Sequence, residues 1–152
     1  MTERELASRF AKENGLKVVS IPYLQNEYRA CDEKFGDYAI SDASPEMFLT
    51  LIRDAEVIIT DSFHACAFST IFKKQFFVCE RVGGESMNSR IIDIVDLADC
   101  NERYLKNNDM MRSEYISKLK LINYSSPMFK LEKQKEISFR FFDRILDACE
   151  GK

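Results

Sequence analysis

The chain has no tryptophan, one histidine, three prolines and five glycines. So little glycine and proline excludes a collagen-like, linker-rich or low-complexity protein. No apolar run approaches the ~20 residues that span a bilayer. The charged start, Thr2-Glu3-Arg4-Glu5, lacks the apolar core of a signal peptide. A cytoplasmic location is the expectation. There is no basic excess: Lys and Arg number 22 against 25 Asp and Glu, for a net charge of -3. With no basic stripe along the chain, nothing argues for a nucleic-acid partner. The five cysteines, at 31, 66, 79, 100 and 149, are odd in number and form no C-x-x-C pair. Neither a disulfide framework nor a zinc site is implied, and no metal is expected. Cys66 and Cys79 lie among apolar residues and are expected to act as small buried hydrophobes in a reducing compartment.

What remains is a composition with 45% hydrophobic and 31% charged residues over 152 positions. That suffices for one domain around one core, taken as residues 1–152. The organising stretch is Val57-Ile58-Ile59-Thr60-Asp61-Ser62-Phe63-His64-Ala65-Cys66. Val57 to Ile59 is the apolar run of a buried strand. Thr60-Asp61-Ser62 favours turns and helix caps. Phe63, Ala67, Phe68, Ile71 and Phe72 then recur at helical spacing. The only histidine therefore falls in the first turn of a helix that follows a strand. Open parallel sheets bind ligands outside the carboxyl ends of their strands. Helix starts offer amide N–H groups and partial positive charge to anions.

Around this stretch the chain alternates. Residues 2 to 14 predict a helix with a Thr2/Glu5 capping box and a stop at Asn14-Gly15. Leu16 to Ile21 predicts a strand closed by Pro22. Residues 23 to 37 lack periodicity and predict an irregular loop, followed by a short extended piece, Tyr38-Ala39-Ile40. Ser44, Pro45 and Glu46 form a strong helix start, with the helix running to about Asp54. After the organising stretch, whose helix ends near Lys73-Lys74, come a strand at Gln75 to Cys79 and a loop around Gly83-Gly84. A helix capped by Asn88 or Ser89 and carrying Ile91 to Leu97 follows. A helix at about 112 to 121 and a long one at about 128 to 149 close the chain. Strands alternating with helices imply an α/β fold: a Rossmann-like parallel sheet with helices on both faces. Opening on a helix rather than a strand is unusual for such a sheet, so the expectation is an uncovered edge or an absent first strand.

Four separated motifs, in order, resemble the carboxyl half of the polysaccharide pyruvyl transferases. They are Ile40 to Leu49, Ala55 to Ala65, Phe76 to Arg81, and Asn88 to Ile92. The segment from Asn123-Tyr124 through the final helix with Ser138 also resembles that family's C-terminal helix. One departure is Ala65, which stands where the family has a glycine. The resemblance implies half of a GT-B-like pair of Rossmann-like domains. It implies transfer of pyruvate from phosphoenolpyruvate to a saccharide as a ketal, in cell-surface polysaccharide synthesis. No cofactor is implied. The partners implied are phosphoenolpyruvate, a saccharide acceptor, and an N-terminal half-domain or a second copy, without which the chain is expected to be inactive. His64 is the implied catalytic residue. Asp61, Ser62, Phe63, Glu80, Arg81, Asn88, Ser89 and Arg90 are the implied substrate contacts.

Each of these residues also has a structural reading. Asp61 and Ser62 suit a turn and a cap. Arg90 suits a surface pair with Asp93, and Arg81 a pair with Glu80 or Glu85. Asp42, Ser44, Pro45 and Glu46 suit a helix start alone. Two other functions fit the same residues: a noncatalytic α/β interaction module or remnant, and half of a sugar-nucleotide glycosyltransferase.

Overall fold

A computed structural model describes residues 2–22, 35–81, 85–106, 116 and 121–149. It shows a Rossmann-like α/β fold whose main sheet carries helices on both faces. Helix α1 spans Glu3–Asn14. Thr2 and Glu5 cap it reciprocally: the Glu5 amide donates to the Thr2 hydroxyl at 3.3 Å, and the Thr2 amide to the Glu5 carboxylate at 2.7 Å. Gly15 ends the helix in the left-handed region, with φ of 66°, where a side chain is strained.

The expected strand over Leu16 to Ile21 shrinks to β1, Val19–Ser20, paired in parallel with β2, Tyr38–Ala39. Side chains replace the ladder around it. The Val18 amide donates to the Asp37 carboxylate at 2.7 Å, and the Ser20 hydroxyl to the Phe35 carbonyl at 2.7 Å. Gly36 makes this closure possible. Its φ is 89°, and a Cβ there would lie 2.9 Å from the Val18 carbonyl oxygen.

Helix α2, Pro45–Asp54, starts as expected, with the Ser44 hydroxyl accepting from the Met47 amide at 3.2 Å. The organising stretch forms β3, Val57–Thr60, and α3, Phe63–Ile71. Helix α3 closes at Ile71, and Lys73 lies past its end with φ of 56°. Strand β4, Gln75–Cys79, has the expected bounds. Helix α4 spans Glu85–Leu97. Asn88 and Ser89 therefore lie inside its first turns and do not cap it. A 3-10 turn at Asn101–Arg103 leads into β5, Tyr104–Leu105. The final helix, α5, begins at Ser125, three residues before the expected start, and runs to Cys149. Pro127 fits its first turn because the amide it lacks has no intrahelical acceptor there. Residues 23–34, 82–84 and all but Ile116 and Leu121 of the expected 112–121 helix lie outside the described residues, and Leu121 is not helical.

The main sheet has the order β3-β4-β5, with every pairing parallel. Alternation along β4 separates two cores. Phe76 and Val78 pack with Cys66, Ile91 and Val95 beneath α3 and α4. Phe77 and Cys79 pack with Leu6, Leu105 and Ile116 beneath α1. Phe10 meets Phe77 edge-on at 6.0 Å between ring centroids. Cys66 and Cys79 are buried as expected, and burial pushes the Cys66 thiol up to about 12. Across the other end of β4, the Gln75 side-chain amide exchanges hydrogen bonds with the Ile122 backbone at 2.8 and 3.4 Å.

Asp99 fixes the start of α5, accepting from Ser126 at 3.1 Å and Lys130 at 2.8 Å. That ion pair explains Lys130, and the mixed charges that follow it are exposed. From Glu132 onward every residue of α5 described is exposed, including Phe139, Phe141, Phe142 and Leu146. Phenylalanine thus occurs in two physical settings, which substitution separates. Phe76→Ala is expected to cost about 3–5 kcal/mol through lost burial and the cavity left behind. Phe142→Ala is expected to change stability by less than about 0.5 kcal/mol. Urea denaturation of both variants checks the pair.

Candidate functional site

The carboxyl ends of β3 and β4 face the starts of α3 and α4, and the sequence-assigned residues gather there. Ser62 caps α3: its hydroxyl accepts from the Ala65 amide at 3.5 Å, and its own amide donates to Thr60 at 3.1 Å. The first amides of such a helix have no intrahelical acceptor and point outward. Phe63 and His64 open the helix. His64 is exposed, and its ring sits edge-on to Phe63 at 5.6 Å. The Arg90 guanidinium lies over the Phe63 ring, 4.5 Å from its centroid. That distance is within cation–π range. Phe63, Arg90, Asp93, Ile94 and Leu97 line an open groove of about 320 Å³.

A second cluster stands beside the first. Arg81 donates through Nε to Asp61 at 2.8 Å, in a half-buried ion pair. Asp61, one strand over, is thus a partner of Arg81 in addition to the neighbours Glu80 and Glu85 that the sequence offers, and the Glu85 side chain lies outside what is described. Asn88 holds the Arg81 backbone on both sides. Its side-chain oxygen accepts from the Arg81 amide at 3.0 Å, and its nitrogen donates to the Arg81 carbonyl at 2.9 Å. This locks the end of β4 to the first turns of α4. The Glu80 amide donates to the Leu105 carbonyl at 2.9 Å, and the Glu80 charge helps, after burial, to raise the Tyr104 hydroxyl. Ser89 is exposed on α4. The contacts thus form two neighbouring groups, Phe63 with His64 and Arg90, and Asp61 with Arg81 and Asn88, with Ser62 capping the helix between them. The start of α2 is exposed and satisfied by its own cap, with Glu46 accepting from Ser44 at 2.8 Å. It reads here as a helix start alone.

Sequence reasoning missed Glu3. Its carboxyl is raised from 4.5 to about 7, first by burial, then by the charge of Asp61, while Arg4 and Arg81 pull it down. No local pattern marks it, because at the start of a helix a glutamate ordinarily faces water. Among the described residues no group of three or more His, Cys, Asp or Glu is placed to hold a metal ion. A larger groove, of about 480 Å³, lies on the outer face of α1 between Arg4, Arg9, Lys12 and Phe35. Arg9 there is engaged with Glu13 at 2.8 Å, as on a solvated helix face.

Comparison with protein families returns a match over residues 2–81 to the family model for polysaccharide pyruvyl transferase. The match takes in Asp61, Ser62, Phe63, His64, Glu80 and Arg81, and ends before Asn88, Ser89 and Arg90. Neither the curated proteins nor the solved structures gave a match.

The raised Glu3 carboxyl has a stability consequence with a definite sign. Between 4.5 and about 7 the folded chain holds a proton that the unfolded chain has released. The Glu3 contribution to stability therefore falls as pH rises through that window and is flat above it. Glu3→Gln removes the effect. The variant is expected to gain stability relative to the parent at about pH 8 and to lose that advantage near about pH 5. Paired urea denaturations at the two pH values check this, and a difference independent of pH would contradict it.

Proposed function

The chain belongs to the polysaccharide pyruvyl transferase family, and on that premise we propose that it supplies the anion-binding wall of a ketal-forming pyruvyl transferase. Phosphoenolpyruvate is the donor in this reading, and two hydroxyls of a saccharide are the acceptor. One observation carries the proposal: Arg81 and Arg90 converge on the start of α3, at the carboxyl ends of parallel strands. Guanidinium groups match carboxylate and phosphate geometry in a way that ammonium groups do not. The outward amides of α3 add further donors.

The reaction balances simply. The enol methylene carbon gains a proton and becomes a methyl group. Two hydroxyl oxygens bond to the adjacent carbon, and its bond to the phosphate oxygen breaks. Of the two hydroxyl protons released, one offsets the proton delivered to carbon and the other leaves with phosphate. Positioning and charge stabilisation are what a protein adds to such a transfer. Arg81 and Arg90 would hold the donor's negative groups, while His64 has the proton-transfer chemistry the steps need and is exposed to the ligand side. Asp61 fixes Arg81, and Phe63 carries Arg90. The gathered residues make one wall of a cleft. The opposite wall, with the rest of the acceptor site, would come from a second domain, and turnover would require it.

A second reading, a noncatalytic interaction module, draws on the exposed apolar arc of α5. One titration separates the two. With phosphoenolpyruvate at millimolar concentration, amide resonances from Ser62 to Cys66 are expected to shift in NMR spectra. Arg90→Ala should weaken the apparent affinity by about tenfold or more, as loss of a charge-assisted contact does. A folded sample whose resonances stay in place sinks the transferase reading. Preference for a nucleoside diphosphate over phosphoenolpyruvate would move the assignment to sugar-nucleotide transfer.

A further inference from the structure

The packing of α1 brings a third charged group to the ends of β3 and β4. Phe10 meets Phe77, and Leu6, one turn nearer the helix start, is buried with Phe77 and Cys79. The helix thus runs against the direction of the strands. From Phe10 to Glu3 it rises roughly 10 Å. From Phe77 to Arg81 the strand direction advances roughly 13 Å. Glu3 therefore sits, half-buried, at the level of Arg81. The titratable and charged groups that face it are Arg4 on its own helix, Asp61 past β3, and Cys79 and Arg81 from β4. Arg81 is not at liberty to swing away, because Asn88 clamps its backbone and Asp61 holds its guanidinium.

Resting on the pyruvyl-transfer reading, we propose that Glu3 is a positioning residue of the anion site that acts through Arg81: an anion binding at Arg81 draws one proton from solvent onto Glu3, and an ionised Glu3 weakens the anion. The charge count makes this so. Arg4 and Arg81 stand against Asp61 and Glu3, so the set carries one positive charge when Glu3 is protonated and none when it is ionised. The net charge attracts an anion only in the first state. Because burial holds the carboxyl at about 7, both states are populated near neutral pH. Linkage is reciprocal, so whatever Glu3 protonation does for the anion, the anion does for Glu3 protonation. Only a proton moves, and no covalent bond to carbon or phosphorus changes. A half-buried glutamate with only a structural role would titrate without responding to the anion.

The test follows the Glu3 side-chain carboxyl carbon by NMR in the full chain, assigned through its own backbone correlations. Two anions are added separately, phosphoenolpyruvate and sulfate, the second because it keeps its charge across the pH range. The titration midpoint is expected to rise by about one unit at saturation, and the affinity for sulfate to weaken by about tenfold from low to high pH. In Glu3→Gln that pH dependence should be markedly smaller. If phosphoenolpyruvate binds and the Glu3 midpoint stays where it was, the inference is overturned and the pyruvyl-transfer reading stands. If sulfate raises the midpoint while phosphoenolpyruvate does not bind, the inference stands and the choice of donor falls. If a folded sample binds neither anion, both are overturned. The parent titration decides the matter even where Glu3→Gln fails to fold.

Discussion

Strand β4 is covered on both faces, and this double burial governs the rest of the molecule. Its residues Phe76 through Cys79 are all buried, so alternation assigns each in turn to one of two cores. One core requires α3 and α4, the other α1 and Ile116. A strand buried in this way can satisfy its backbone only through neighbouring strands, which β3 and β5 provide. Because all three are parallel, the connecting helices begin near the same ends of the strands. The gathering of Asp61, Ser62, His64, Arg81 and Asn88 at those ends is thus a product of core packing as much as of any ligand.

The electrostatics of that end depend on how firmly Arg81 is held. An arginine at a strand terminus ordinarily samples many rotamers. Here Asn88 takes both polar groups of its backbone, and Asp61 takes its side chain. The conformational entropy of the cation is spent on folding rather than on ligand capture. A carboxyl at the same level, desolvated by the same packing, then senses whatever charge Arg81 meets.

How much of this was legible in the sequence follows the range of the interactions. The caps at Thr2/Glu5, Ser44 and Ser62 involve residues two or three positions apart, and each formed where the pattern placed it. The apolar run of β4 gave correct bounds because both its faces are buried. Apart from shifted ends of α3 and α5, the misses are tertiary. Strand β1 is shorter than its apolar run because Asp37 and Ser20 form side-chain bonds in place of the ladder. Asn88 has the composition of a cap, yet it serves a strand end seven residues earlier. Glu3 carries no local mark of its burial, since only the arrival of α1 over the sheet desolvates it. The residues around His64 could be assembled from order alone, because a parallel sheet aligns its carboxyl ends. Which of them would touch one another could not.

Helix α5 has a thermodynamic peculiarity. Its first turns are anchored through Asp99, whereas the length beyond Glu132 draws support from its own backbone and from weak pairs such as Glu136 with Arg140 at 3.8 Å. Most of the stability of a protein helix comes from tertiary packing of its apolar face, which this stretch lacks among the described residues. The amides of such a stretch open with less free energy than those of a packed core. The distal half of α5 is therefore expected to open more readily than the sheet, which makes its helicity a gauge of occupancy. Whatever covers Phe139, Phe142 and Leu146 would be recorded as slowed hydrogen exchange and gained helical signal, far from the residues that bind the anion.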